Sequence, residues 1–189
     1  ENCMELAVWY YHLNCIDETK SLLSISPGGK EMDIWKIYFS ISKNEFSTSA
    51  FPFREETAAL LEQLIRKSND WQLKFSLALI YQNKNNLEKA KELFSSCGDI
   101  PGNATFYAAR SKLITTTTQT DLEKAVSLDK EQWRYQKLLA EYYLAHEQKE
   151  KALKLVESFY QSHRDNYIIG MLYAKALLAN GKYADCDAL

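Results

Sequence analysis

Residues 71–96 read WQLKFSLALIYQNKNNLEKAKELFSS, and residues 133–158 read WRYQKLLAEYYLAHEQKEKALKLVES. Laid over each other at an offset of 62 without gaps, residues 71–101 and 133–163 share nine identities. Trp71, Leu77, Ala78, Tyr81, Glu88, Lys89, Ala90, Leu93 and Ser96 meet Trp133, Leu139, Ala140, Tyr143, Glu150, Lys151, Ala152, Leu155 and Ser158. Within each copy the apolar residues recur every three or four positions, as in Leu73, Leu77, Ile80 and Tyr81. That spacing lays them along one face of an α-helix. Strand-like alternation is absent over any useful length. A further step of 34 carries Trp133 to Tyr167 and Ala140 to Ala174, so the unit is near 34 residues and two units span the 62.

Polar breaks separate the helical stretches at Asn83–Asn86, His146–Gln148 and Asn180-Gly181. Gly181 suits a left-handed helix terminus because it has no Cβ to clash there. Thr120-Asp121-Leu122-Glu123 fits the reciprocal capping pattern and predicts a helix start near Asp121. Four consecutive threonines, 115–118, are poor helix formers, so residues 103–128 read as a degenerate repeat with a shortened second helix.

The pattern resembles the tetratricopeptide repeat, in which a Leu and a small residue precede a Tyr in the first helix, and a small residue precedes an aromatic in the second. Here those places are Leu77, Ala78, Tyr81, Ala90 and Phe94, then Leu139, Ala140, Tyr143, Ala152 and Val156. The resemblance implies an all-α fold, a right-handed superhelix of antiparallel helix pairs (a TPR-like α-solenoid) with degenerate repeats. It is weaker at the N-terminus, where Leu6, Ala7, Tyr10, Ile16, Thr19 and Leu23 fit but Thr replaces the small Ala. The expected organisation is a single repeat domain over 1–189. It has divergent helices in 1–42, a loop at 43–53, repeats at 54–101 and 102–132, a well-formed repeat at 133–163 and a truncated one at 167–189. The opening Glu1 and the abrupt end after Tyr183–Leu189 read as a piece of a longer chain.

A narrower stretch, residues 51–189, is similar to the helical-repeat region of an uncharacterised bacterial family. Its repeats follow a β-sandwich domain resembling sugar mutarotases. The similarity rests on Phe51-Pro52-Phe53-Arg54, Leu77–Tyr81, Phe106–Arg110 and Gln132-Trp133-Arg134. It implies bacterial origin, no known reaction, and a carbohydrate link only through a domain outside this sequence.

Composition excludes several function classes. The chain has 189 residues, 23 basic and 25 acidic side chains, and a formal charge of −2. A protein that neutralises phosphates should be more basic, so no nucleic-acid partner is expected. No apolar run approaches the length of a membrane span. Cys3, Cys15, Cys97 and Cys186 form no C-x-x-C pair, and their scatter favours a reducing, cytoplasmic setting. His12, His146 and His163 stand at no metal-ligand spacing. Gly28-Gly29 lacks the strand and the Lys-Ser/Thr of a phosphate loop. Glu88 and Glu92 beside Lys89 and Lys91 have the make-up of a solvated helix face. Asn103-Ala104-Thr105 matches a glycosylation triplet, an uninformative signal without a secretory leader. Neither a catalytic group, a cofactor nor a metal is expected.

A binding role remains. In the resembled family a concave face lined by the first helices takes the partner. Carried over, its positions are Gln72, Phe75, Leu79 and Gln82, then Arg134, Lys137, Glu141 and Leu144. The first set is apolar with amide edges and the second is charged. The expected partner is a protein or extended peptide, or neighbouring domains of the same chain, buried by Phe75 and Leu79 and oriented by Arg134 or Lys137. The asparagines of a carboxylate clamp are missing from this face. Trp9, Tyr11 and Phe75 are the aromatic candidates for exposed contact. The alternative is an accessory domain of a carbohydrate-active or carbohydrate-sensing protein.

Overall fold

The structure, a computed structural model, describes residues 2–27, 31–41 and 52–189. Gly28-Gly29 and all of the expected 43–53 loop except Pro52 and Phe53 lie outside the described residues. The described residues form twelve α-helices and no strand. They divide into two compact units, Glu1–Pro101 and Gly102–Leu189.

The first unit contains α1 (Asn2–His12), α2 (Ile16–Ile25), α3 (Glu31–Tyr38), α4 (Glu55–Lys67), α5 (Trp71–Asn83) and α6 (Leu87–Ser96). Each of these helices packs on the next in sequence. Met4, Ala7, Val8, Leu23, Met32, Trp35 and Leu60 form one core. Ile34, Leu61, Leu73, Leu77 and Ile80 form the next. The small positions do what close crossing requires: Ala7, Thr19, Ala78 and Ala90 are all fully buried. Thr19 tolerates this because its hydroxyl donates to the Cys15 carbonyl at 2.8 Å, leaving no orphaned polar atom.

Glu31 is buried and ties α3 to the start of α4. One carboxylate oxygen accepts the Phe53 and Arg54 backbone N–H groups at 2.7 and 2.9 Å, supplying the cap that α4 lacks in its own sequence. Arg54 Nε stands 3.0 Å from the other oxygen, out of line for a hydrogen bond, so that contact is an ion pair only. Trp35 Nε1 donates to Thr57 Oγ1 at 3.0 Å in the same interior.

The second unit contains α7 (Ala104–Arg110), α8 (Thr118–Leu128), α9 (Trp133–Ala145), α10 (Lys149–Tyr160), α11 (Tyr167–Ala179) and α12 (Tyr183–Asp187). Helices α5, α9 and α11 are each 13 residues long and start at the offsets of 62 and 34 found in the sequence. Leu122, Leu139, Tyr143 and Ala152 form one core, and Ala140, Val156, Phe159, Ile169 and Leu172 the next.

Two expectations for residues 103–128 are corrected. The first helix is the short one, at 7 residues, while the second has 11. The second helix begins at Thr118, three residues before the capping-pattern position. The reason is Asp121. It is 1% exposed and accepts from Arg110 Nε at 2.9 Å and Nη2 at 2.5 Å, while Thr117 Oγ1 donates to it at 2.9 Å. A residue gripped this way sits inside the helix rather than at its edge. The threonines serve the turn: Thr118 Oγ1 donates to the Ser111 and Ile114 carbonyls at 3.0 and 3.2 Å.

Four hairpins close in one way. Asn14, Asn85, Glu147 and Gly181 take positive φ values of 59°, 60°, 58° and 72°. In each, the next residue's N–H returns to a carbonyl five positions back: Cys15 to Tyr10, Asn86 to Tyr81, Gln148 to Tyr143, Lys182 to Leu177, at 2.8 to 3.0 Å. Gly181 behaves as expected from sequence. Asn and Glu reach the same left-handed geometry, so the closure sets the register without requiring glycine.

Candidate binding faces

The first set of expected contact residues lies on α5. Gln72, Leu79 and Gln82 are half-buried. Phe75 is not an exposed contact: it is 3% exposed, with Trp71 and Phe94 rings at 6.5 and 6.1 Å. Its place is the α5–α6 interior, because Phe94 on α6 reaches across the hairpin to cover it. Tyr11 is half-buried and meets Trp35 edge-on at 5.3 Å. Trp9, by contrast, is 66% exposed.

The second set lies on α9. Arg134 is exposed, its guanidinium 5.0 Å above the Trp133 ring, and Nη1 donates to Gln132 at 3.3 Å. Lys137 and Glu141 pair with each other at 2.7 Å one helical turn apart, neutralising part of this face. Leu144 is half-buried between two cores.

The expected set omitted residues on α11. The same step of 34 carries Arg134, Lys137, Glu141 and Leu144 to Ile168, Met171, Lys175 and Leu178. Ile168, Met171 and Leu178 are 46%, 43% and 48% exposed, and Lys175 is exposed as well. Helices α9 and α11 touch directly. The signal was in the sequence: Tyr167-Ile-Ile-Gly-Met-Leu-Tyr is apolar on every side, more than a helix with one covered face needs.

A second constellation repeats. Tyr81 on α5 donates its hydroxyl to Glu62 on α4, and Tyr143 on α9 donates to Glu123 on α8 at 2.9 Å. Lys89 and Lys151, again 62 residues apart, lie over the two rings at 5.0 and 5.6 Å. Burial first, and then the hydrogen bond to a carboxylate, push both tyrosines up to about 12. Both hydroxyls therefore stay protonated at neutral pH and act as donors. Because folding raises these values, the neutral form contributes stability that is full below the ordinary tyrosine pKa of about 10. That contribution is lost as pH climbs towards 12. Tyr81→Phe/Tyr143→Phe is expected to flatten the loss of helical signal between about pH 10 and 12. An alkaline profile unchanged by the double substitution would contradict the assignment.

Cys97 is buried and Cys3, Cys15 and Cys186 are half-buried, with no disulfide among them. His146 stacks on Tyr142 at 3.9 Å and bonds the Tyr142 carbonyl at 2.8 Å. His163 lies 3.0 Å from the Phe159 carbonyl at the end of α10. Among the described residues no cluster of His, Cys, Asp or Glu could hold a metal ion. No helix among them is long and apolar enough to cross a membrane.

No family model matches the chain, and no curated protein sequence matches it. Solved structures do. YrrB, described as a TPR protein with an unusual peptide-binding site, is similar over 70% of this chain and 72% of its own, with a TM-score of 0.61 and 11% identity. A putative kinesin light chain of Podosopora anserina, with nearly identical TPR-like repeats, is similar over 99% of this chain and 89% of its own. Its TM-score is 0.55 and its identity 16%. TTC0263, a thermophilic TPR protein of Thermus thermophilus, is similar over 94% of this chain and 98% of its own, with a TM-score of 0.50 and 17% identity. At these identities the likeness shows the fold, and that fold is a TPR-like array of helix pairs.

Proposed function

We propose that the chain is a non-catalytic interaction scaffold that binds a peptide segment across the first-helix face of its second unit. The observation that carries this reading is the exposed apolar side of α11. Ile168, Met171 and Leu178 stand in solvent at the positions that correspond to Arg134, Lys137 and Leu144 on the adjoining α9. Exposed aliphatic side chains grouped on one helix face mark an interaction surface more often than isolated ones do. Arg134, Lys137 and Lys175 outnumber Glu141 there, so the segment that fits is apolar with an acidic group. YrrB's peptide-binding site lends the reading support by analogy of fold. Phe75 drops out of the face, and Gln72, Leu79 and Gln82 remain as candidate contacts on the first unit.

A display selection of random peptides against the full chain tests it. Enriched sequences are expected to combine large apolar residues with Asp or Glu, and both Met171→Asp and Arg134→Glu should lower their capture at least tenfold with helicity unchanged. Peptides that bind both variants as well as the parent would remove this face from consideration.

A further inference from the structure

The outward side of α1 carries a stripe of large apolar residues. Leu6 and Trp9 are 45% and 66% exposed, Leu13 just past the helix end is 63% exposed, and Tyr10 lies beside Leu6 and Trp9 on the helical wheel. The hairpin closures fix the correspondence between α1 and the later helices. The Tyr10 carbonyl accepts the same return hydrogen bond as those of Tyr81 and Tyr143, and Asn14 has the left-handed φ of Asn85, 71 residues on. Leu6, Trp9 and Tyr10 therefore correspond to Leu77, Ile80 and Tyr81 on α5, and to Leu139, Tyr142 and Tyr143 on α9.

In both later helices the counterparts of Leu6, Trp9 and Tyr10 are buried or half-buried. On α5, Leu77 and Ile80 are 3% and 1% exposed, packed with Leu61 of α4, and Tyr81 donates to Glu62 of that helix. On α9, Leu139 packs with Leu122 and Val126 of α8, and Tyr143 donates to Glu123. The cover is the same kind of object twice: an amphipathic helix with an aliphatic stripe and one glutamate that meets the tyrosine hydroxyl.

We infer that the Leu6–Trp9–Tyr10–Leu13 side of α1 is a docking surface for an acidic amphipathic helix of this kind. Apolar area on Trp9, Leu6 and Leu13 supplies the attraction. A carboxylate facing Tyr10 sets the register of the incoming helix, as Glu62 and Glu123 do within the chain. This surface lies on the first unit and is independent of the peptide face proposed on α9 and α11.

The probe is a fluorescein-labelled peptide with the sequence of residues 55–67, the segment that covers the corresponding side of α5. Two changes at positions exposed in α4, Ala59→Lys and Gln63→Asp, let a lactam form between the lysine amine and the aspartate carboxyl with loss of water, and this holds the peptide helical, since so short a helix is marginal in water. Its anisotropy is followed on titration with the full 189-residue chain. Saturable binding is expected. Trp9→Ala should weaken it about tenfold, as loss of an exposed aromatic anchor does. Tyr10→Phe, or alanine in place of Glu62 in the peptide, should each weaken it about threefold to fivefold, and both together no further, since they remove one hydrogen bond. Met171→Asp should leave it unchanged, which separates this surface from the one on α9 and α11. Absence of saturable binding overturns the inference. So does equal affinity for Trp9→Ala, or a chain that instead self-associates through this side and excludes the peptide.

Discussion

Asp121→Ala is expected to destabilise the second unit by about 3–5 kcal/mol, enough to unfold it at moderate urea. Arg110 is 6% exposed, and its guanidinium lies against the rings of Phe106 and Tyr107 at 5.3 and 5.2 Å. Removing the carboxylate takes from a buried guanidinium the ion pair and the two hydrogen bonds it makes with Asp121, and deleting one member of a buried pair carries a penalty of that size. It also frees Thr117 from the hydroxyl contact that ties the start of α8 to its interior. Replacing both partners, as Arg110→Met/Asp121→Leu, should cost much less, because the desolvation penalty disappears with the charges. Urea denaturation followed by far-ultraviolet circular dichroism measures both. A loss under about 1 kcal/mol for Asp121→Ala, or a double variant as weak as the single, would show that the pair does not organise α7 and α8.

Phe75→Ala is expected to cost about 3–5 kcal/mol in the first unit, the range for emptying a buried phenylalanine site. Trp71 and Phe94 border the space it would leave. Gln72→Ala and Gln82→Ala, half-buried on the same helix, should each shift stability by less than about 1 kcal/mol. The contrast separates side chains that hold the helix pair from those free to meet a partner. Thermal melts of the three variants decide it. A mild Phe75→Ala would return that ring to the contact residues.

The helix pairs were legible in the sequence because their determinants are local and repeated. Leu77-Ala78 with Tyr81, and Glu88-Lys89-Ala90, recur at 62 residues, and Ala78, Ala90, Ala140 and Ala152 are all fully buried at the crossings. Side-chain depth was less legible, because it depends on what the facing helix carries. Phe75 and Lys137 share a register position, yet one is interior and the other half-exposed. Facing helix α6 presents Phe94, and α10 presents the smaller Val156 at the corresponding place.

The start of α8 was misread for a related reason. Thr120 and Glu123 satisfy a local capping pattern, whereas Asp121 answers to Arg110, eleven residues earlier on another helix. Exposed apolar residues were the hardest to read. Trp9 has the same composition signal as a core residue, and it is exposed because no helix among the described residues covers that side.

The claim that repeated first-helix positions form the working surface is tested most directly by hydrogen–deuterium exchange of the full chain with and without a peptide enriched by selection. Added protection is predicted in α9 and α11, around Arg134–Glu141 and Ile168–Leu178, with α10 unaffected. Protection confined to α10 or α12, leaving α9 and α11 exchanging as in the free chain, would contradict it.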